Sequence, residues 1–271
     1  MRENKLQKIG FLTSREYAWL KDQPELTQEE ESKVKEYEKA QPGVDLATAK
    51  RNREKLQITS KLIWKNFLLF YKHTTGKEFN QTPDALKNVG PVIKYFAQEL
   101  EFSKSENMIK KVGNSVLYPD LAKGLLIIGF CGNGKTTVMR TLSKMFDHYQ
   151  MPMRFKSVNA HDIVTEYESI STPGDKDLFF ERYKCAKLHI DDVKKEATAS
   201  NYGKIEIIRA ILEKRYDAKL QTYITCNFRE GDQGNIADGL LEFGERYGEH
   251  IYDRIFEMFN ILHFTGNSFR N

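Results

Sequence analysis

One stretch constrains the fold more than any other: GLLIIGFCGNGKTT, residues 124–137. An apolar run enters a loop with glycines at 129, 132 and 134. A lysine, two threonines and a helically spaced series, VMRTLSKMF, follow. Gly129-x-x-x-x-Gly134-Lys135-Thr136 fits the Walker A pattern in full. Glycines let the backbone curl so that successive amides point at an anion. The helix that begins near Lys135 adds its positive N-terminal end. Lys135 is expected to reach terminal phosphates and Thr136 to offer its hydroxyl to a magnesium ion. A chance Gly-rich turn is the competing reading, and it fits an eight-residue pattern between a strand and a helix poorly.

The rest of the chain supplies that setting. After residue 110 strands and helices alternate: GLLIIG, then KTTVMRTLSKMFDHY; MRFKSVN, then HDIVTEYES; AKLHIDD, then KIEIIRAILEKRYDA; QTYITCN, then GEHIYDRIFEMFN, then ILHFTG. The order predicts an α/β fold with a mostly parallel sheet between helices, its ligands at the carboxyl ends of the strands. Before residue 110 the signals are only helical. TQEEESKVKEYEKA opens on a capping box, Thr27 and Glu30, and Glu29–Glu31 read as a solvated first turn. A helical pattern runs from about Leu46 to Lys72, and GPVIKYFAQEL reads as a short helix with Pro91 in its first turn. The expected organisation is a helical region, residues 1–110, and a nucleotide-binding domain, residues 111–271.

A phosphate loop hydrolyses nothing without an acid. KLHIDD is an apolar strand ending in two, which places Asp191 beside the magnesium and leaves Asp192 to position or deprotonate a water. Two solvated acids at a strand end are the bland alternative, which the preceding loop makes the weaker one. Asn227, at the end of TYITCN, either orients that water or senses the third phosphate, or is an ordinary turn former. His189 reads as a core residue, since no second ligand lies at metal-binding spacing. The net charge of +4 permits nucleic acid as a partner without demanding it. The three cysteines, 131, 185 and 226, have no CxxC spacing and read as reduced thiols. LIWKNFLLFY is too short to span a bilayer, and the first residues lack a signal-peptide core. A cytoplasmic protein with no membrane partner is expected.

Together, KGLLIIGFCGNGKTT, KLHIDDV, ILEKRYDAKLQTYITCNF and YGEHIYDRIFEMFNILHFTGNSFR resemble the AAA+ ATPases of the DnaC/IstB type, replicative helicase loaders and transposition helper ATPases, over about residues 110 to 271. The resemblance implies an ATP- and Mg2+-dependent ATP hydrolase. Its nucleotide would lie on Gly129, Gly132, Asn133, Gly134, Lys135, Thr136 and Thr137, with Thr136 and Asp191 on the metal. Asp192 and Asn227 would be catalytic, with Arg254 an arginine finger acting in trans and Arg270 a second sensor. The stretch after Asn227 has room for a strand and one or two helices but not for a separate C-terminal lid, so that sensor falls to the tail. Cys226 stands where the family usually has serine, and there is no N-terminal zinc cluster.

Residues 50–71 mix Lys50, Arg51, Arg53, Lys55, Lys61 and Lys65 with Trp64, Phe67, Phe70 and Tyr71. Such a mixture can track single-stranded nucleic acid, or form an amphipathic helix with a basic solvated face and an aromatic core face. The helical spacing of the aromatics favours the second. The resemblance adds a third role for residues 1–110, docking of a partner protein. The implied whole is a head-to-tail homo-oligomer, ATP-bound, on DNA that is single-stranded for preference, loading a replicative helicase. A transposition helper, a binding module gated by ATP with little turnover, and a small-molecule kinase are the alternatives.

Overall fold

The computed structural model describes residues 27–39, 58–196, 206–229 and 234–266. The chain divides into two compact units, residues 1–57 and 58–271.

In the first unit, helix α1 (Gln28–Lys39) starts on the expected capping box. The Thr27 Oγ1 accepts from the Glu30 N–H, and the Glu30 carboxylate accepts from the Thr27 N–H and hydroxyl. Lys33 and Lys35 pair with Glu29 and Glu31 one turn back, as a solvated face would. Lys50 to Lys55 lie outside the described residues.

The second unit opens with two helices, α2 (Ser60–Thr75) and α3 (Pro83–Phe96), then a 3-10 turn (Leu100–Lys104) and a two-stranded antiparallel hairpin, β1 (Lys111–Val112) and β2 (Ser115–Val116). Thr59 and Thr82 cap α2 and α3 through their hydroxyls. Contrary to expectation, Pro91 does not sit in a first turn. Helix α3 begins eight residues earlier at Pro83, behind the Thr82 cap, and Pro91 lies inside it. Thr82-Pro83 is the stronger start signal, a capping residue followed by a proline whose missing N–H costs nothing there.

The alternating part follows: β3 (Gly124–Gly129), α4 (Lys135–His148), β4 (Lys156–Asn159), α5 (Ala160–Glu168), α6 (Pro173–Tyr183), β5 (Leu188–Val193), α7 (Ile207–Asp217), β6 (Thr222–Asn227), α8 (Ile236–Tyr247), α9 (Glu249–Met258) and β7 (Phe259–Phe264). Helices α6 and α8 are additional to the sequence expectation. Strand β7 starts at Phe259, where the pattern had extended the preceding helix to Asn260; the helix stops when its backbone turns extended at Phe259. Among the described residues no separate lid follows β7.

The five main strands form one sheet in the order β4-β5-β6-β3-β7, every neighbouring pair parallel. Alternation along each strand divides its side chains between two cores. Leu126, Ile128, Ile224, Cys226 and Ile261 face a core with α5 to α9. Leu125, Ile127, Tyr223, Leu262 and Phe264 face a core with α2, α3 and α4. The aromatics of α2 belong to that second core: Phe67 is fully buried, Phe70 nearly so, and Trp64, Phe67 and Tyr71 enclose the ring of Phe79. The amphipathic reading of this stretch holds for these residues. Residues 107–109 run antiparallel along the outer edge of β7 and cover it, with Ile109 N–H on the Ile261 carbonyl and His263 N–H on that of Asn107.

Candidate functional site

The loop from Gly129 to Gly134 joins the carboxyl end of β3, which lies between β6 and β7, to the first turn of α4. Gly132 and Gly134 hold φ of 87° and 89°, the left-handed region that favours glycine. Gly129 is required for a different reason: a Cβ there would sit 2.4 Å from the Phe264 carbonyl oxygen and 2.5 Å from Asn133 Nδ2. That amide is buried and positions the loop. Its Nδ2 donates to Phe264 O (2.8 Å) and its Oδ1 accepts from Lys135 Nζ (3.0 Å). The Lys135 ammonium also donates to the carbonyls of Gly129 and Phe130, both at 2.8 Å, and to Asn227 Oδ1 at 2.9 Å. Four acceptors exceed its three protons, so one contact is shared. Burial pushes the ammonium down to about 8, against a partial pull upward from the carboxylates of Asp192 and Asp191. Thr136 and Thr137 stand half-buried in the first turn of α4.

The two acids sit on a β-bulge. Strand β5 pairs with β6 residue for residue up to Ile190 opposite Ile224, then resumes at Val193 opposite Cys226. Asp191 and Asp192 therefore share one partner, Thr225. The extra residue re-aims the strand end, and Asp192 takes a φ of 56°, uncommon for a non-glycine residue and frequent at functional sites. The Asp191 carboxylate is buried. One oxygen accepts from the hydroxyls of Thr136 (2.8 Å) and Thr225 (2.5 Å), and the other lies 3.1 Å from Arg140 Nη2. Asp192 Oδ1 accepts from Asn227 Nδ2 at 2.6 Å, and the Asp192 N–H reaches Thr225 Oγ1 at 3.3 Å.

His189 is fully buried on the same strand, between Ser157 Oγ at Nδ1 (2.8 Å) and Thr225 Oγ1 at Nε2 (3.3 Å). Thr225 gives its proton to Asp191, so His189 donates from Nε2 and accepts at Nδ1. Burial pushes the ring down to about 4, partly opposed by Asp191, and keeps it neutral. It is a core histidine, as expected, with a share in orienting Thr225. Burial likewise pushes the Cys226 thiol up to about 11 and leaves it protonated. None of the three cysteines is in a disulfide, and Cys131 and Cys185 are exposed.

The fold thus brings together Gly129, Asn133, Lys135, Thr136, Asp191, Asp192 and Asn227. It places Arg254 elsewhere. On α9 that guanidinium stacks on the Tyr216 ring, 4.4 Å from its centroid, with Asp217 at 4.0 Å. His250 pairs with Glu213, and Glu257 accepts from the Tyr216 hydroxyl. Arg270 lies outside the described residues. Thr225 and Arg140 were not singled out from the sequence. Arg140 had a signal, since it follows Thr136 at helical spacing; Thr225 had none, because a threonine inside a buried strand is ordinary.

A magnesium ion fits the donor set. A threonine hydroxyl and a carboxylate, both hard oxygen donors, are adjacent at Thr136 and Asp191. Among the described residues no group of three or more His, Cys, Asp or Glu could hold a metal by itself.

No protein-family model and no curated protein matches this chain. Solved structures do. The DnaC helicase loader is 23% identical, over 53% of this chain and 79% of that one, with a TM-score of 0.42. DnaI is 17% identical over 72% and 89%, with a TM-score of 0.46. The replication initiator DnaA bound to AMPPCP and single-stranded DNA is 17% identical over 54% and 41%, with a TM-score of 0.39. Likenesses this distant add nothing to the chemistry of the residues above. Among the described residues no helix is long and apolar enough to cross a membrane.

Proposed function

We propose that this chain is a cytoplasmic, magnesium-dependent ATPase of the DnaC/IstB type, which assembles head to tail on single-stranded DNA when ATP-bound and loads a replicative helicase. One observation carries the ATPase reading. Asn227 bridges Lys135 of the phosphate loop and Asp192 of the acid strand, at 2.9 and 2.6 Å. Strand β6 lies between β3 and β5, so a group at its end touches both halves of a hydrolytic site at once.

In this reading the loop amides and Lys135 receive the phosphates, Lys135 exchanging one of its loop carbonyls for a phosphate oxygen. Thr136, Thr137 and the N-terminal end of α4 complete the cradle. Thr136 and Asp191 would hold magnesium, which when bound neutralises charge on the phosphate oxygens. Asp192, held by Asn227, accepts the proton of the water that attacks the terminal phosphorus as the bond to the bridging oxygen breaks. Asn227 reports the terminal phosphate to Asp192, Arg254 reaches the phosphates of a neighbouring copy, and Arg270 acts as second sensor. Partner docking falls within residues 1–110. The part of that region from Ile58 onward belongs to the same compact unit as the phosphate loop.

Asp192→Asn should bind ATP normally and lose turnover by about 10²-fold or more. Equal and negligible turnover in both proteins with DNA present would point to an ATP-gated module. Mixing Arg254→Ala with Asp192→Asn should restore activity if Arg254 acts across an interface. A mixture as inactive as its parts, with assembly intact, would remove that role. Capture of a hexameric helicase on the chain loaded with a non-hydrolysable ATP analogue supports loading; capture of a transposase would replace it.

A further inference from the structure

Arg140 follows Thr136 by four residues on α4, so both project from one face of the helix. Its Nη2 stands 3.1 Å from Asp191 Oδ2, while Asp191 Oδ1 accepts from Thr136 and Thr225. Three donors thus surround the carboxylate: two hydroxyl hydrogens on one oxygen and a guanidinium beside the other. The two charges differ in their freedom. The Asp191 side chain is 2% exposed and the Arg140 side chain 49%. The acid is fixed by the bulge and two threonines; the arginine can leave for water.

A divalent cation drawn to Thr136 and Asp191 meets this guanidinium. Two cations on one small carboxylate repel strongly even at the effective dielectric near a protein surface. The buried carboxylate in turn needs a positive partner, because a lone buried charge is costly. We infer that Arg140 is the resident counter-ion of Asp191 and that the divalent cation displaces it. Arg140 then sets the magnesium concentration at which the nucleotide site is completed, and metal binding turns a guanidinium out onto the exposed face of α4. The inference rests on the nucleotide-site reading above. It makes Arg140 a positioning residue, since it acts through Asp191.

The test uses the full chain as wild type, Arg140→Gln and Arg140→Lys. Binding of a fluorescent ATP analogue is followed while Mg2+ is raised from zero in chelator. Removing the competing cation should lower the half-saturating Mg2+ of Arg140→Gln about tenfold or more, the factor that about 1.4 kcal/mol gives. Arg140→Lys keeps the charge and should stay within about threefold of wild type. Thermal melts supply a second readout. Arg140→Gln should melt below wild type without metal, because Asp191 loses its counter-ion, and the gap should close with Mg2+ and the analogue. A variant that folds only with metal and nucleotide gives the same support. Superimposable Mg2+ curves, or an equal melting deficit in both conditions, would overturn the counter-ion role while leaving nucleotide binding intact. Failure of the wild type to bind the analogue would instead overturn the nucleotide site itself, and Arg140's role with it.

Discussion

Raising the pH from 7 to 9 should weaken ATP binding about tenfold through Lys135 alone. Burial pushes this ammonium down to about 8 from its ordinary 10.5. In the free protein it is then about nine-tenths charged at pH 7 and about one-tenth charged at pH 9. A bound triphosphate favours the charged form and raises this pKa, so binding above pH 8 takes up a proton. The sign follows: affinity is full below the free-state pKa and is lost as pH rises through it. Between pH 7 and 9 the loss is about tenfold, or ~1.4 kcal/mol. The last ionisation of a phosphate group lies near about 6 and is complete before this window. Isothermal titration at pH 9, in two buffers of different ionisation enthalpy, should report uptake of about 0.9 proton per ATP. Lys135→Arg should flatten the profile, because a guanidinium stays charged throughout. Equal affinity at pH 7 and 9 without proton uptake would refute the argument: either Lys135 is not desolvated, or it does not meet the phosphates.

Asn227→Ala should leave ATP binding near normal, because Lys135 keeps three other acceptors, and lower turnover about 10- to 100-fold in single-turnover assays; undiminished turnover would remove Asn227 from the reaction. Arg215 is fully buried and donates to Thr222 Oγ1 and to the carbonyls of Tyr183, Ala186 and Gln221. Arg215→Met strands those acceptors and should cost about 3–5 kcal/mol in urea unfolding, against which a loss below about 1 kcal/mol would count. Gly124→Ala would place a methyl 1.7 Å from the Thr222 carbonyl oxygen and force β3 away from β6. A drop of about 3 kcal/mol or more is expected in thermal melts, and near-wild-type stability would mean the strands shift freely.

Much of the chain is legible without coordinates because its determinants are local. The loop from Gly129 to Thr136 declares itself through residue types that only one backbone path requires. Strand β3 is a continuous apolar run, as a strand covered on both faces must be. The Thr27 cap, the core character of His189 and the helical aromatic face of α2 follow from spacing alone. Helices α6 and α8 escaped because α6 is largely polar and α8 follows a Gly-rich stretch that reads as loop. Pro91 misled because proline signals a first turn only when no earlier cap outranks it.

The tertiary structure decided which of these residues meet. Nothing local says that β6 lies between β3 and β5, yet that order alone lets Asn227 touch Lys135 and Asp192 together. The bulge that sets both acids against Thr225 is a mismatch between two strands and has no meaning within either. Arg140 is one more arginine on an exposed helix face until the sheet brings Asp191 beneath it. Helical spacing marks it as a neighbour of Thr136, but a buried carboxylate finds its counter-ion through space, and only the packed chain determines which cation is within reach.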